Sequence, residues 1–471
     1  MQVVKNYLYN AAYQVFILLV PLITTPYLAR VLGPTGVGIN AYTNSIIQYF
    51  ILFGSIGVNL YGNRQIAYVR DDKDKLTKTF YEIFLMRVMT IILAYAAFLV
   101  FLMFTGSYHT YYFAQSVSII AAAFDISWFF MGMENFGVTV LRNLIVKILT
   151  LVSIFLFVKS YSDLYIYILI LSLSLLIGNL TLFPNLGRYI GKVDFKRLKI
   201  WRHLKPSLVL FVPQIATQIY LVVNKTMLGS MTSVQSAGYF DQSDKMIKMV
   251  LAVVTATGTV MLPHVANAFM KGEVEKTKNL LYNSFSFVTA MSVPMMFGIA
   301  AIAQKFVPLF FTDKFLAVIP LMMLESTVIL LIAWSNALGT QYLLPTNQNG
   351  SYTKSVILGA VVNILINIPF ILLWGALGAT LSTVLSELAV TIYQLVALKD
   401  QISYKKLFSG FDKCLFAGLA MFIVVHLIDK ATNLSWLMLV LEIFIGAGVY
   451  VGTLFLLKAK IITDAKEMLR K

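Results

Sequence analysis

Long apolar runs alternate with short polar connections along all 471 residues of the chain. "YQVFILLVPLITTPYLA", "TIILAYAAFLVFLMF" and "WLMLVLEIFIGAGVYVGTLFLL" are examples. About 20 apolar residues cross a bilayer as a helix, and these runs reach or approach that length. The short two-residue alternation of a transmembrane barrel is absent from the pattern. Fourteen helical spans are expected, near 6–30, 36–63, 79–105, 110–132, 136–158, 161–184, 206–229, 236–268, 279–304, 315–344, 353–374, 376–398, 411–429 and 434–457. The fold class is therefore all-α and polytopic. The second and eighth spans exceed one bilayer thickness and are expected to tilt or protrude.

Composition agrees: 59% of residues are hydrophobic, 12% are charged, and the mean hydropathy is +0.80. That is too little charge to cover the surface of a soluble protein of this length. The first apolar stretch runs on through Tyr27 with no small-residue cleavage site, so a permanent first helix is expected rather than a signal peptide. Cys414 is the single cysteine, and the four histidines are scattered. No disulfide, metal site, catalytic group or cofactor is expected. The net charge of +16 does not point to nucleic acid, because the basic residues collect in alternate connections. Of the 37 Lys and Arg residues, 26 fall in one set of connections, five in the other and six within spans. The positive-inside rule then puts both termini in the cytoplasm.

A weak repeat divides the chain. Val20-Pro21 and Val212-Pro213 are each followed by a Leu-Gly pair (Leu32-Gly33, Leu228-Gly229) and then by a glycine before a polar helix start (Gly38, Gly238). The organisation read from it is a first lobe over 1–187, a basic cytoplasmic linker over 188–205, a second lobe over 206–400, and two further helices with a tail over 401–471. Six spans per lobe make the two lobes parallel, with a central cavity and alternating access expected between them.

The stretch "NKTMLG…SAGYFDQSDKMIKM", together with "PYLARVLGPTGVGINAYTNSI", resembles the Wzx-type flippases of the multidrug/oligosaccharidyl-lipid/polysaccharide (MOP) exporter superfamily, over essentially the whole chain. The resemblance implies a MATE/MOP-like fold in a bacterial cytoplasmic membrane. It also implies movement of undecaprenyl-diphosphate-linked oligosaccharides from the inner to the outer leaflet, for capsule, exopolysaccharide or O-antigen-like polysaccharides. Family members usually carry Asp where this chain has Asn224; the family's acid after the aromatic pair is present as Asp241.

Candidate site residues follow from charge at membrane depth. Asp241, Asp244, Lys245 and Lys248 share one face of the eighth span at i, i+3, i+4 and i+7, in the order that favours ion pairs. Lys225 on the seventh span adds a surplus cation, and Arg30 holds the corresponding place in the first lobe. A charge at the bilayer centre costs at least ~2.5–3.5 kcal/mol, so such groups face a cavity or pair. A cationic cavity suits a diphosphate. Asn40, Tyr42, Asn44 and Gln48, and in the other lobe Gln214, Gln218, Asn224 and Gln242, suit sugar hydroxyls or interhelical hydrogen bonds. Glu325 and Glu387 are candidates for a coupling ion. Arg87, Arg142 and Lys147 are expected to pair with Asp125 and Glu134.

The expected partner is a polyprenyl-diphosphate-linked glycan, with transient contacts to a polymerase and glycosyltransferases, and the chain is expected to be monomeric. A multidrug/cation antiporter of the same superfamily is the alternative, but it needs an anionic cavity. A membrane enzyme needs a large extramembrane loop or an Asp/Glu/His constellation, and the sequence shows neither. No Walker motif is present, so energy is expected from an ion gradient, the membrane potential or product removal.

Overall fold

The computed structural model describes residues 2–459 and 461–462; within helices, the side chains of 2–18, 136, 212–214, 216, 217, 219–221, 257, 259 and 260 are not described. Helices and turns make up the described residues, without a strand. The chain divides into two compact units, Met1–Gly229 and Ser230–Lys471.

The first unit holds α1 (Gln2–Ser55), α2 (Val58–Val69), α3 (Lys73–Phe104), α4 (His109–Ala123), α5 (Ser127–Gly132), α6 (Phe136–Phe157), α7 (Leu164–Leu180), α8 (Phe183–Leu186) and α9 (Leu204–Met231). The second holds α10 (Val234–Met270), α11 (Val274–Phe310), α12 (Val318–Glu325), α13 (Thr327–Ser335), α14 (Asn349–Trp374), α15 (Ala376–Leu398), α16 (Tyr404–Leu407), α17 (Phe411–Ala431) and α18 (Trp436–Leu456). Each expected span overlaps one or more of these helices, and several, such as 36–63 and 110–132, cross a break between two of them. The seventh, on α9, groups with the first unit: Ser207 Oγ donates to Ile56 O at 2.6 Å, and Thr226 Oγ1 lies 2.8 Å from Ser45 Oγ.

Among the described residues, eleven helices are long and apolar enough to cross a membrane, or twelve if α10, bent by 40° after Ala256, counts as one span. The first of them, Leu19–Val69, is 51 residues long and contains the second expected span and the end of the first. They join at Gly33, whose φ of 63° lies in the left-handed region that a glycine tolerates, with Pro34 opening the next helical segment. Side chains mark other starts. Asp72 accepts from the backbone N–H groups of Asp74 and Lys75 at the head of α3, and Ser233 accepts from Ser236 N at the head of α10.

The tenth expected span is not one regular helix. It is broken into α12, α13 and a π-helix over Asn336–Leu343. There Gln341 Nε2 donates to Asn336 Oδ1 at 3.1 Å and Ser284 Oγ donates to Gln341 Oε1. Those side-chain bonds accompany the wider backbone turn.

Packing replaces the hydrophobic effect as the adhesive between helices in lipid. In the first unit Phe80, Trp128, Phe129 and Phe130, all essentially inaccessible, form an aromatic cluster joining α3 to α5. In the second, Val293, Ala417, Met421 and Tyr450 join α11, α17 and α18.

Candidate functional site

A polar cavity of ≈ 340 Å³ lies within the first unit. Asn40, Asn44 and Gln48 come from successive turns of α1, one above the other at i, i+4 and i+8. Gln115 and Ser118 come from α4, Ser172 from α7, and Arg142, Asn143 and Lys147 from α6. Two cations and a set of amides and hydroxyls thus line it, without an Asp or Glu. Gln115 Nε2 donates to Asn40 Oδ1 at 3.1 Å, and Arg142 Nη1 donates to Asn179 Oδ1 at 3.0 Å. Lys147 has no acidic partner among the described residues.

Gln48 also lines a second cavity, of ≈ 240 Å³, with Ser55, Asn59 and Gln218. Asn59 is held from behind by Arg87, which is 2% exposed. Arg87 Nη1 donates to Asn59 Oδ1 at 2.6 Å, Nε to Ala122 O at 2.6 Å, and Nη2 lies 3.4 Å from Asp125 Oδ2. The expected Arg87–Asp125 pair therefore forms. Glu134 departs from expectation, because it pairs with Arg70 at 2.7 Å. It sits at positive φ in the turn before α6.

The acid–base stripe on α10 forms the i,i+4 pairs that its spacing favours. Lys245 Nζ lies 2.5 Å from Asp241 Oδ2, and Lys248 Nζ lies 2.7 Å from Asp244 Oδ2. The acids are buried, whereas the lysine side chains are 42% and 45% exposed. Next to the stripe, Ser243 Oγ donates to the buried Glu325 of α12. Glu387 is buried on α15, where its backbone carbonyl accepts from Thr391 Oγ1. Asn224 is buried and Lys225 half-buried on α9. Arg30 is exposed, and its Nη1 donates to Pro26 O on its own helix at 2.9 Å. Gln218 joins Gln48 at the second cavity. The side chain of Gln214 lies outside the described residues. Tyr42 does not line either cavity; its ring lies against Gly229, where a Cβ would have no room.

The basic linker is fastened to the first unit by one buried acid. Glu82 Oε1 accepts Lys199 N at 2.7 Å, while its Oε2 lies 2.5 Å from Arg202 Nη2 and 2.9 Å from His203 Nε2. His203 Nδ1 meets Tyr61 OH at 2.7 Å. His203 lies outside the expected spans, and burial pushes its imidazole below the ordinary value despite the opposing effect of Glu82. No sequence pattern announced this cluster, since its members are up to 142 residues apart.

Residues 3–269 match the family described as "Polysaccharide biosynthesis protein". The chain is 24% identical over 406 residues to the "Putative O-antigen transporter" of Escherichia coli (strain K12), covering 84% of this chain and 96% of that protein. A solved structure of "Lipid II flippase MurJ, inward closed conformation" superposes with a TM-score of 0.76 at 18% identity, covering 95% of this chain and 98% of the other. An "Inward-facing conformation of a multidrug resistance MATE family transporter of the MOP superfamily" gives 0.62 at 11% identity, covering 83% and 98%. The fold is thus MOP-like and the protein multi-pass. With more than half its length matched, the chain belongs to the polysaccharide biosynthesis protein family.

Proposed function

We propose that the protein is a flippase that carries polyprenyl-diphosphate-linked oligosaccharides across the membrane by alternating access, supplying units for a cell-surface polysaccharide. The observation that carries this reading is the first-unit cavity, with Arg142 and Lys147 among amides and hydroxyls and no carboxylate in its lining. A diphosphate is the costly part of such a substrate to desolvate, and a cation backed by hydrogen-bond donors offsets that cost. The amides suit the sugars. The names carried by the O-antigen transporter and the lipid II flippase are consistent with a lipid-linked glycan. A cationic drug would find no counter-charge in this lining, so the antiporter alternative is disfavoured.

In this account Lys225, Lys245, Lys248 and Arg30 are secondary contacts for the diphosphate, with Asn40, Asn224 and Gln218 toward the glycan and Glu325 and Glu387 as coupling-ion candidates. The fourteen-span count, the lobe boundary at 206, cytoplasmic termini in a bacterial plasma membrane, a monomeric state, the absence of catalysis and transient contacts with polymerase and glycosyltransferases belong to the same proposal. Purified protein in liposomes should move an undecaprenyl-diphosphate oligosaccharide between leaflets. Failure to do so, with a structurally intact preparation, would refute the reading.

A further inference from the structure

The second unit buries a charged cluster that neither the sequence reading nor the family assigns. Lys305 on α11, Asp429 on α17 and Glu442 on α18 are 5%, 6% and 0% exposed. Lys305 Nζ lies 2.5 Å from Glu442 Oε1 and donates to Thr432 Oγ1 at 2.5 Å. Thr432 Oγ1 in turn lies 2.7 Å from Ile428 O and 3.2 Å from Glu442 Oε1. Asp429 is served less well: its Oδ1 is 3.7 Å from Lys305 Nζ, beyond hydrogen-bond distance. Asp429 Oδ1 and Glu442 Oε2 are both sealed from solvent and accept no hydrogen bond.

The cluster lies on helices long and apolar enough to cross a membrane, near their ends. Glu442 is six residues into α18 and Lys305 five residues from the end of α11, roughly 8 Å along each axis. Two carboxylates and one ammonium in that setting leave one negative charge uncompensated, and a buried carboxylate without partners neutralises rather than persists. Among the other ionisable groups close by, His426 is part-buried one turn back on α17, stacked on Phe422, and Lys430 is exposed. Neither makes an ion pair with Asp429. The oxygens on offer are too few to wrap a metal ion, and no group of three or more His, Cys, Asp or Glu capable of holding one occurs among the described residues.

We infer that Lys305, Asp429 and Glu442 form a proton-binding site, with Glu442 ionised against Lys305 and the proton carried by Asp429. Binding moves one proton from water to an Asp429 carboxylate oxygen, leaving the cluster neutral and giving the carboxyl an O–H to direct at a buried acceptor. On the transport reading above, this is a place for a coupling proton, separate from Glu325 and Glu387. The test does not depend on that reading.

Infrared difference spectroscopy on the full chain in lipid nanodiscs reads the carbonyl stretch of protonated carboxylic acids directly. At neutral pH the wild type should show a band that Asp429→Asn removes. Glu442→Gln should also remove it, because Asp429 then becomes the sole partner of Lys305 and ionises. Lys305→Met should keep the band and add a second. A spectrum unchanged by Asp429→Asn overturns the assignment, as does a band that Glu442→Gln leaves in place. Loss of the wild-type band on adding Na⁺ would make the site a sodium site and overturn the proton assignment. If Asp429→Asn does not fold, the Glu442→Gln and Lys305→Met spectra carry the same opposed expectations.

Discussion

Lys245 Nζ sits 2.5 Å from Asp241 Oδ2, one helical turn back on α10. The cation most conspicuous in the sequence is thus already matched by an anion, and the same holds for Lys248 with Asp244. Lys147, inconspicuous in the sequence, has no such partner among the described residues and lines the cavity of the first unit. We therefore predict that Lys245→Gln or Lys248→Gln lowers transport less than Lys147→Gln at equal protein levels. Side-by-side flipping rates in liposomes check the order; the reverse order would return the primary site to α10.

Arg87 is expected to be a keystone of stability. Its guanidinium bonds Asn59, the Ala122 carbonyl and Asp125 from a site 2% exposed. Removing one partner of a buried pair costs about 3–5 kcal/mol, because the other charge is stranded. Arg87→Met should lower the unfolding midpoint of detergent-solubilised protein strongly, and Arg87→Met with Asp125→Asn should recover part of the loss. Equal midpoints for wild type and Arg87→Met would contradict the packing described.

The Leu-Gly pair of the second repeat owes its glycine to an aromatic of the first. Gly229 lies against the ring of Tyr42 with no space for a methyl group. Gly229→Ala should destabilise by about 1–3 kcal/mol as an overpacked site, and Tyr42→Ala should rescue it in a double-mutant cycle. Additive effects of the two changes would show that the contact is not the cause.

A pH dependence follows from His203. Burial depresses its folded-state pKa, so the unfolded chain binds the proton first as pH falls. The contribution of neutral His203 to stability is complete above the ordinary imidazole pKa of about 6.5 and declines as pH drops below it. His203→Gln should flatten the fall in unfolding midpoint between about pH 7 and 5. An identical slope in wild type and variant would remove His203 from the account.

Much of the fold is legible in the chain because a helix in lipid must satisfy its own backbone, which makes long apolar runs unambiguous. The α10 pairs are legible for a similar reason: i,i+4 spacing is local geometry. Gly33 shows the limit, since a left-handed residue joins two spans into one continuous run that hydropathy alone divides. The cavity was half-visible. Asn40, Asn44 and Gln48 repeat at four-residue intervals, but the sequence offers Arg87, Arg142 and Lys147 alike as partners for Asp125 and Glu134. Arg87 and Arg70 take those acids in space. The clusters around Glu82 and Asp429 depend on contacts more than 100 residues apart, for which one sequence holds no periodic signal.

The central claim is that the charge of the first-unit cavity holds the diphosphate. It is tested most directly by measuring flipping of an undecaprenyl-diphosphate oligosaccharide by wild type, Lys147→Gln, Arg142→Gln, the double variant and Lys147→Arg in matched proteoliposomes. A charge-assisted hydrogen bond is worth about 1.5–3 kcal/mol, so each Gln variant should lose roughly 10- to 100-fold in apparent substrate affinity. Lys147→Arg should retain most of it, and the loss should not depend on which sugars the lipid carries. A double Gln variant that folds normally and flips at the wild-type rate and affinity would contradict the account.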